Sequence, residues 1–246
     1  MSCKQLDKFL RLLKASPPGA VFNPWWQIDE ENDIGSYAPA IRRKHLAVYF
    51  RERLGKARLA IVGEALGYRG GHFSGIPMTS ERMLLGKQKN IVAALCERRN
   101  VCGASNGAHP DKSGLQILTT INPRRTSKPN VCSDGFSEPT ATIVWSALLK
   151  IGVLPDEFVL WNAFPWHSFD LRRGPLSNRT PDKSEQLFSR PVLEAFLELF
   201  ACEQIVALGK IAAAQLEQLG VNAHCVRHPA SGGAKLFRQQ IARIVR

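Results

Sequence analysis

The chain has 246 residues, 44% of them hydrophobic, and a formal net charge of +12. That length supports one sizeable α/β domain with a proper core, or at most two small ones. No apolar run approaches the roughly 20 residues of a membrane span, and Met1–Lys14 lacks the order of a signal peptide. A soluble, cytoplasmic monomer is therefore expected, nucleoid-associated in a bacterium and with no membrane partner. A basic excess of this size points to a polyanionic partner, because Lys and Arg release counterions when they neutralise phosphates. The six cysteines are Cys3, Cys96, Cys102, Cys132, Cys202 and Cys225. None forms a C-x-x-C pair, so zinc and iron–sulfur spacing is absent and reduced thiols are the default. Cys96, Cys202 and Cys225 stand in apolar contexts that suit core positions.

In chain order, Leu6, Phe9, Leu10 and Leu13 repeat at helical spacing over residues 4–14. Ser16-Pro17-Pro18-Gly19 breaks that helix. A second amphipathic helix is expected from Pro39 to Leu54, with Ile41, Leu46, Phe50 and Leu54 inward. Arg58–Val62 reads as a short strand ending at Gly63. Further buried strands are expected at Phe158–Trp161, Gln204–Ala207 and His224–Val226, and one more at Gln116–Ile121. Helical patterns lie between them at Asn90–Arg98, Thr140–Ile151, Asp182–Phe200 and Ile211–Leu219, and a last helix covers Ala234–Val245. Such alternation predicts a three-layer α/β/α sandwich around a central, mainly parallel four-stranded sheet. The whole of 1–246 is expected as a single domain. Residues 1–57 supply N-terminal helices packed on it, and the Gly-, Pro- and Ser-rich stretch 101–136 is an excursion. Asn122-Pro123-Arg124-Arg125-Thr126-Ser127-Lys128 is a basic loop whose single charges suit a solvated surface.

In an open parallel sheet, sites form at the carboxyl ends of strands. Four segments stand there: Gly63-Glu64-Ala65-Leu66-Gly67, Asn162-Ala163-Phe164-Pro165-Trp166, Leu208-Gly209, and His228-Pro229-Ala230-Ser231-Gly232-Gly233. A carboxylate, an amide and a histidine thus converge on one edge, with glycines allowing close backbone approach.

Gly63-Glu64-Ala65-Leu66-Gly67 resembles the GEAPG motif of the family 4 and family 5 uracil-DNA glycosylases. His72-Phe73-Ser74-Gly75 resembles their PFVG segment. Trp161-Asn162-Ala163 is similar to the strand end whose Asn reads uracil. Asn178-Arg179-Thr180-Pro181 resembles their NRTP stretch, Leu208-Gly209-Lys210 with Ala213 their LG-x-x-A segment, and His228-Pro229-Ala230 their HPS motif. The matches run in family order from about Arg58 to the C-terminus. Leu66 and Ala230 depart from the pattern, and the iron–sulfur cysteines of family 4 have no counterparts. The resemblance therefore implies a cluster-free relative that needs no cofactor and no metal. Asn178 stands near the reactive His of a covalent-trapping branch and argues against that chemistry.

The resemblance implies hydrolysis of the N-glycosidic bond of deoxyuridine in DNA, leaving an abasic site for base excision repair. Such an enzyme extrudes the base and reads its Watson–Crick edge in a pocket. Asn162 can donate to a uracil carbonyl and accept from the ring N–H; an Asn at a strand end also serves as a turn or helix cap. Phe73 would stack on the base. Tyr68 would crowd a thymine methyl. Ala65 falls where family 1 enzymes carry an Asp and joins these as a base contact. Glu64 would position water or stabilise the oxocarbenium-like sugar. His228 would donate to the uracil oxygen that gains negative charge, a contribution of about 3 kcal/mol. Ala230, Ser231 and Gly232 would enter the DNA, with Lys235 and Arg238 near the phosphates at a helix N-terminus. Two other readings stay open: a protein that binds uracil or abasic sites with weak turnover, and a glycosylase for another deaminated base such as hypoxanthine or xanthine.

Overall fold

The computed structural model describes residues 3–91, 93–94, 117 and 120–245. The helix expected at Asn90–Arg98, the strand at Gln116–Ile121, Cys96 and much of 101–136 lie wholly or partly outside the described residues. The elements run α1 (Cys3–Leu12), β1 (Val21–Phe22), α2 (Ala38–Arg51), β2 (Leu59–Ala65), α3 (Gly71–Ser74), α4 (Glu81–Leu84) and α5 (Pro139–Lys150). Then follow β3 (Phe158–Phe164), β4 (His167–Ser168), α6 (Lys183–Phe200), β5 (Gln204–Leu208), α7 (Lys210–Glu217), β6 (His224–Val226) and α8 (Ala234–Ile244).

The main sheet has four parallel strands in the order β3-β2-β5-β6. Helices cover both faces, which is why β3 is buried along its whole length and β2 over its first five residues. The sandwich expected from the sequence is the observed architecture. β2 and β3 run further than their apolar runs suggested. β2 continues through Gly63 and Glu64 to Ala65, and β3 through Asn162 to Phe164, with Gly63 opposite Asn162 and Ala65 opposite Phe164. Asn162 therefore sits inside a strand, held by the ladder, instead of in the loop after it. Cys225 departs from expectation in the other direction. It is exposed, because β6 closes one edge of the sheet and only Val226 of its three residues faces inward.

The opposite edge is β3, and α2 covers it. Arg53, just past the end of α2, donates from Nε to the Phe158 carbonyl at 3.1 Å, and the Leu160 N–H donates to the Tyr49 hydroxyl at 2.9 Å. Side chains thus satisfy ladder groups that no neighbouring strand among the described residues reaches. Leu6, Phe9 and Leu13 of the first helical segment join the same apolar cluster as the sheet, where the Phe9 ring meets Trp161 edge-on at 5.4 Å.

A second, two-residue antiparallel ribbon pairs β1 with β4. It is too short to leave a period in the sequence. Beside it, buried Arg42 forks onto Asp33 at 2.6 and 2.9 Å, a charge pair whose desolvation is offset by two aligned hydrogen bonds. The start of α6 is fixed by reciprocal capping. Asp182 accepts from the Glu185 N–H at 2.9 Å, and the Glu185 carboxylate accepts from the Asp182 N–H at 2.8 Å.

Candidate active site

The chain leaves β2 for β3 on one side, then crosses to β5 on the other. The carboxyl ends of β2 and β5 therefore flank the point where the connections diverge, and a crevice opens there. A cavity of about 370 Å³ occupies it, lined by Gly63, Glu64, Ala65, Leu66 and Gly67 from β2 and its loop, Asn162 from β3, Leu208 from β5, and His228 and Ala230 after β6. Met78, Glu138, Thr140 and Asn178 to Thr180 complete the wall. Four strands thus each contribute to one concavity of small-molecule size.

Asn162 is 2% exposed. Its amide lies across the Gly63 backbone, so near that a Cβ on Gly63 would stand 2.5 Å from Asn162 Oδ1. Glycine is required at 63 for that reason. His228 is half-buried. Its Nδ1 accepts from the Ala230 N–H at 3.1 Å, which puts the ring proton on Nε2 of a residue that lines the cavity. Burial, with the Arg227 charge beside it, holds the His228 pKa below the usual histidine range, so the ring is a neutral donor near pH 7. The following loop is tight. Ser231 adopts φ +52° and Gly232 φ +77°, and a Cβ on Gly233 would meet the His228 carbonyl oxygen at 2.0 Å.

Two of the aromatic residues expected on the base are not on the cavity wall. Phe73 is fully buried, and its ring stacks on Phe136 with centroids 4.4 Å apart and planes 3° from parallel. It sits on α3, whose side chains are all buried, so it is a packing residue in this structure. Tyr68 lies beside the mouth. Its ring meets Phe136 edge-on at 6.3 Å, and its hydroxyl accepts from Arg69 Nε at 2.8 Å. Met78 is among the apolar side chains on the wall, with its sulfur 3.5 Å from where a Cβ on Gly63 would stand. Met78 holds φ +47°, a conformation that costs a non-glycine residue energy and recurs at ligand sites.

A family model described as the Uracil DNA glycosylase superfamily matches residues 52–243. The chain belongs to that superfamily. It is a DNA glycosylase by that membership. No curated protein matches it in sequence. Among solved structures, the crystal structure of wild-type SMUG2 from Pedobacter heparinus is similar in fold, with a TM-score of 0.58 at 13% identity over 98% of this chain and 96% of that one.

The glycosylase wall is held from behind by polar contacts that the sequence did not announce. Asn178 Oδ1 accepts from the Tyr68 N–H at 3.0 Å, tying the loop after β2 to the loop before α6. Arg179 is clamped by both Glu185 oxygens at 2.8 Å. Deeper, His72 Nε2 meets Asp29 Oδ2 at 3.0 Å, His72 Nδ1 meets His167 Nδ1 at 2.9 Å, and His167 Nε2 meets the Ser177 carbonyl at 2.7 Å. Burial pushes the His167 pKa down to about 3. This buried row runs from the N-terminal segment to the residue before Asn178. The basic loop is anchored as well. Glu81 accepts from the Thr126 and Ser127 N–H groups at 2.6 and 3.0 Å, Arg125 donates to the Ser127 and Ser133 carbonyls, and Lys128 donates to the Glu30 and Glu31 carbonyls. Lys235 and Arg238 are different: both are exposed on α8, within two turns of the His228 loop. Among the described residues no helix is long and apolar enough to cross a membrane.

Proposed function

We propose that this glycosylase flips uracil out of DNA and hydrolyses its N-glycosidic bond. The observation that carries the reading is the meeting of Asn162 and a proton-bearing His228 Nε2 across one cavity, with Glu64 on the same wall. Asn162 reads the ring N–H and a carbonyl of uracil, a pattern cytosine does not match. His228 donates to the carbonyl oxygen on which charge gathers as the bond breaks, stabilising the departing anion more than the bound base. Glu64 faces the positive charge that forms on the sugar. Met78, in place of an aromatic ring, supplies the apolar surface against the base. Ala230, Ser231 and Gly232 occupy the gap in the duplex, and Lys235 and Arg238 contact the phosphates on either side.

The test is release of free uracil from single- and double-stranded oligonucleotides carrying one uracil, in EDTA, read as alkali-labile abasic sites. Retained binding to uracil-containing DNA without release at enzyme excess would favour a binding protein. Release of hypoxanthine or xanthine in place of uracil would move the reading to another deaminated base. Asn162→Asp is expected to shift excision towards unpaired cytosine, since a carboxylate accepts from the amino group that uracil lacks; unchanged selectivity would remove Asn162 from base reading.

A further inference from the structure

Glu138 stands at the N-cap of α5 in an extended conformation, yet its side chain does not cap that helix. The carboxyl turns instead to the cavity wall, where it lies on the loop after β2. A Cβ on Gly70 would stand 2.3 Å from Oε2, and one on Gly67 would stand 3.1 Å from Oε1. Two glycines thus leave the room the carboxyl fills. Oε2 is buried and makes no hydrogen bond among the described residues. A buried carboxyl oxygen without a partner is expensive to keep, and acidic N-cap residues ordinarily bond their own helix. A carboxyl on the wall of the reaction cavity that neither caps its own helix nor neutralises Arg179 is available to the reaction.

Resting on the functional reading above, we propose that Glu138 is the general base of the hydrolysis. The oxygen of a water bonds to C1′ of the deoxyribose and the C1′–N1 bond breaks. The electron pair leaves with uracil, whose anion His228 Nε2–H stabilises, and the water's proton passes to the Glu138 carboxylate. Glu64 then serves the sugar cation, and the two carboxylates on the wall divide the work. Desolvation raises the Glu138 pKa from 4.5 to about 7, a value that suits proton transfer at neutral pH better than an ordinary carboxylate does. The other charged or titratable groups on the wall are Glu64, Arg179 and His228. Arg179 is committed to Glu185, and the His228 pKa lies below the usual range. Tyr68 and Arg69, on the loop beneath Glu138, bond each other.

The experiment is single-turnover uracil release between pH 5.5 and 9, together with affinity for DNA carrying an uncleavable abasic analogue. The wild type is expected to accelerate with pH and level off above about 7. Glu138→Gln is expected to lose about a hundredfold or more in rate, to lose that acidic limb, and to keep its affinity for the analogue, with a thermal midpoint no lower than that of the wild type. Glu138→Asp, with its carboxyl one methylene back, is expected to be slower but to keep the limb. Glu64→Gln is expected to keep the limb at a lower plateau. Glu138→Gln retaining the limb, or near-normal rates, would overturn the assignment, as would equal losses of rate, affinity and midpoint in both Glu138 variants. Loss of the limb in Glu64→Gln would move the base to Glu64. A wild type that frees no uracil would overturn the functional reading instead, and this assignment with it.

Discussion

Gly63→Ala tests the site through a single methyl group. The new Cβ would lie 2.5 Å from Asn162 Oδ1, with the Met78 sulfur at 3.5 Å behind it. Contact at 2.5 Å is well inside van der Waals range, so the amide must retreat by most of an ångström. Asn162 is buried in a strand paired to β2 and has little room to do so. Overpacking of this kind costs about 1–3 kcal/mol of stability. The catalytic loss should be larger in proportion, because the displaced amide forfeits its bonds to the base. About 3 kcal/mol of transition-state binding corresponds to roughly a hundredfold in rate. Thermal unfolding and single-turnover uracil release would be measured on Gly63→Ala, Asn162→Ala and the double variant. Truncating Asn162 removes the atom the methyl strikes, so the double variant should be no less stable than Asn162→Ala while remaining as slow. A fast, stable Gly63→Ala, or strictly additive stability losses, would refute the placement of the Asn162 amide over Gly63.

Three further outcomes follow from the same geometry. His228→Ala should slow cleavage strongly and leave DNA affinity nearly intact, since its bond strengthens only as charge builds on the departing base; equal losses in single-turnover rate and in binding would make the residue structural. Lys235→Ala and Arg238→Ala should weaken binding across DNA sequences and each lower the salt slope by about one unit; an unchanged slope in salt-titrated binding would place the DNA path elsewhere. The Glu138 carboxyl is raised to about 7 in the fold against 4.5 outside it, so it costs nothing at pH 4 and destabilises progressively as pH climbs between the two values. Glu138→Gln should therefore gain up to about 3 kcal/mol over the wild type at pH 8 and little at pH 4, by denaturant unfolding; a gain independent of pH would contradict the burial of that acid.

The strands were legible because a sheet covered on both faces demands short apolar runs, and Leu59–Val62, Phe158–Trp161 and Gln204–Ala207 are such runs. Their true ends were not, because Gly63, Glu64 and Asn162 look like turn residues until the ladder is seen to continue through them. The polar members of the site stood out for the same reason they were mistaken for loop residues: they interrupt apolar strands at the reacting edge. Phe73 was misplaced because an aromatic ring among glycines reads alike whether it faces a ligand or Phe136. Met78 carries no polar mark, and nothing local separates a core methionine from one on a cavity wall. Glu138 precedes Pro139 and a helix, which suggests a cap; that one of its carboxyl oxygens is buried depends on Gly67 and Gly70, about seventy residues earlier in the chain.

The cover over β3 bears on how this protein can be divided. The likeness to the superfamily begins at residue 52, and a boundary drawn there would look safe, since every residue on the cavity wall lies beyond it. Such a shortened chain would lack Tyr49 and the helix that positions Arg53, and seven consecutive buried residues of β3 would face water along an unsatisfied edge. Edges of that kind recruit other strands. The shortened protein should fail by self-association before its chemistry can be measured, leaving insoluble material that says nothing about whether the catalytic residues were chosen correctly.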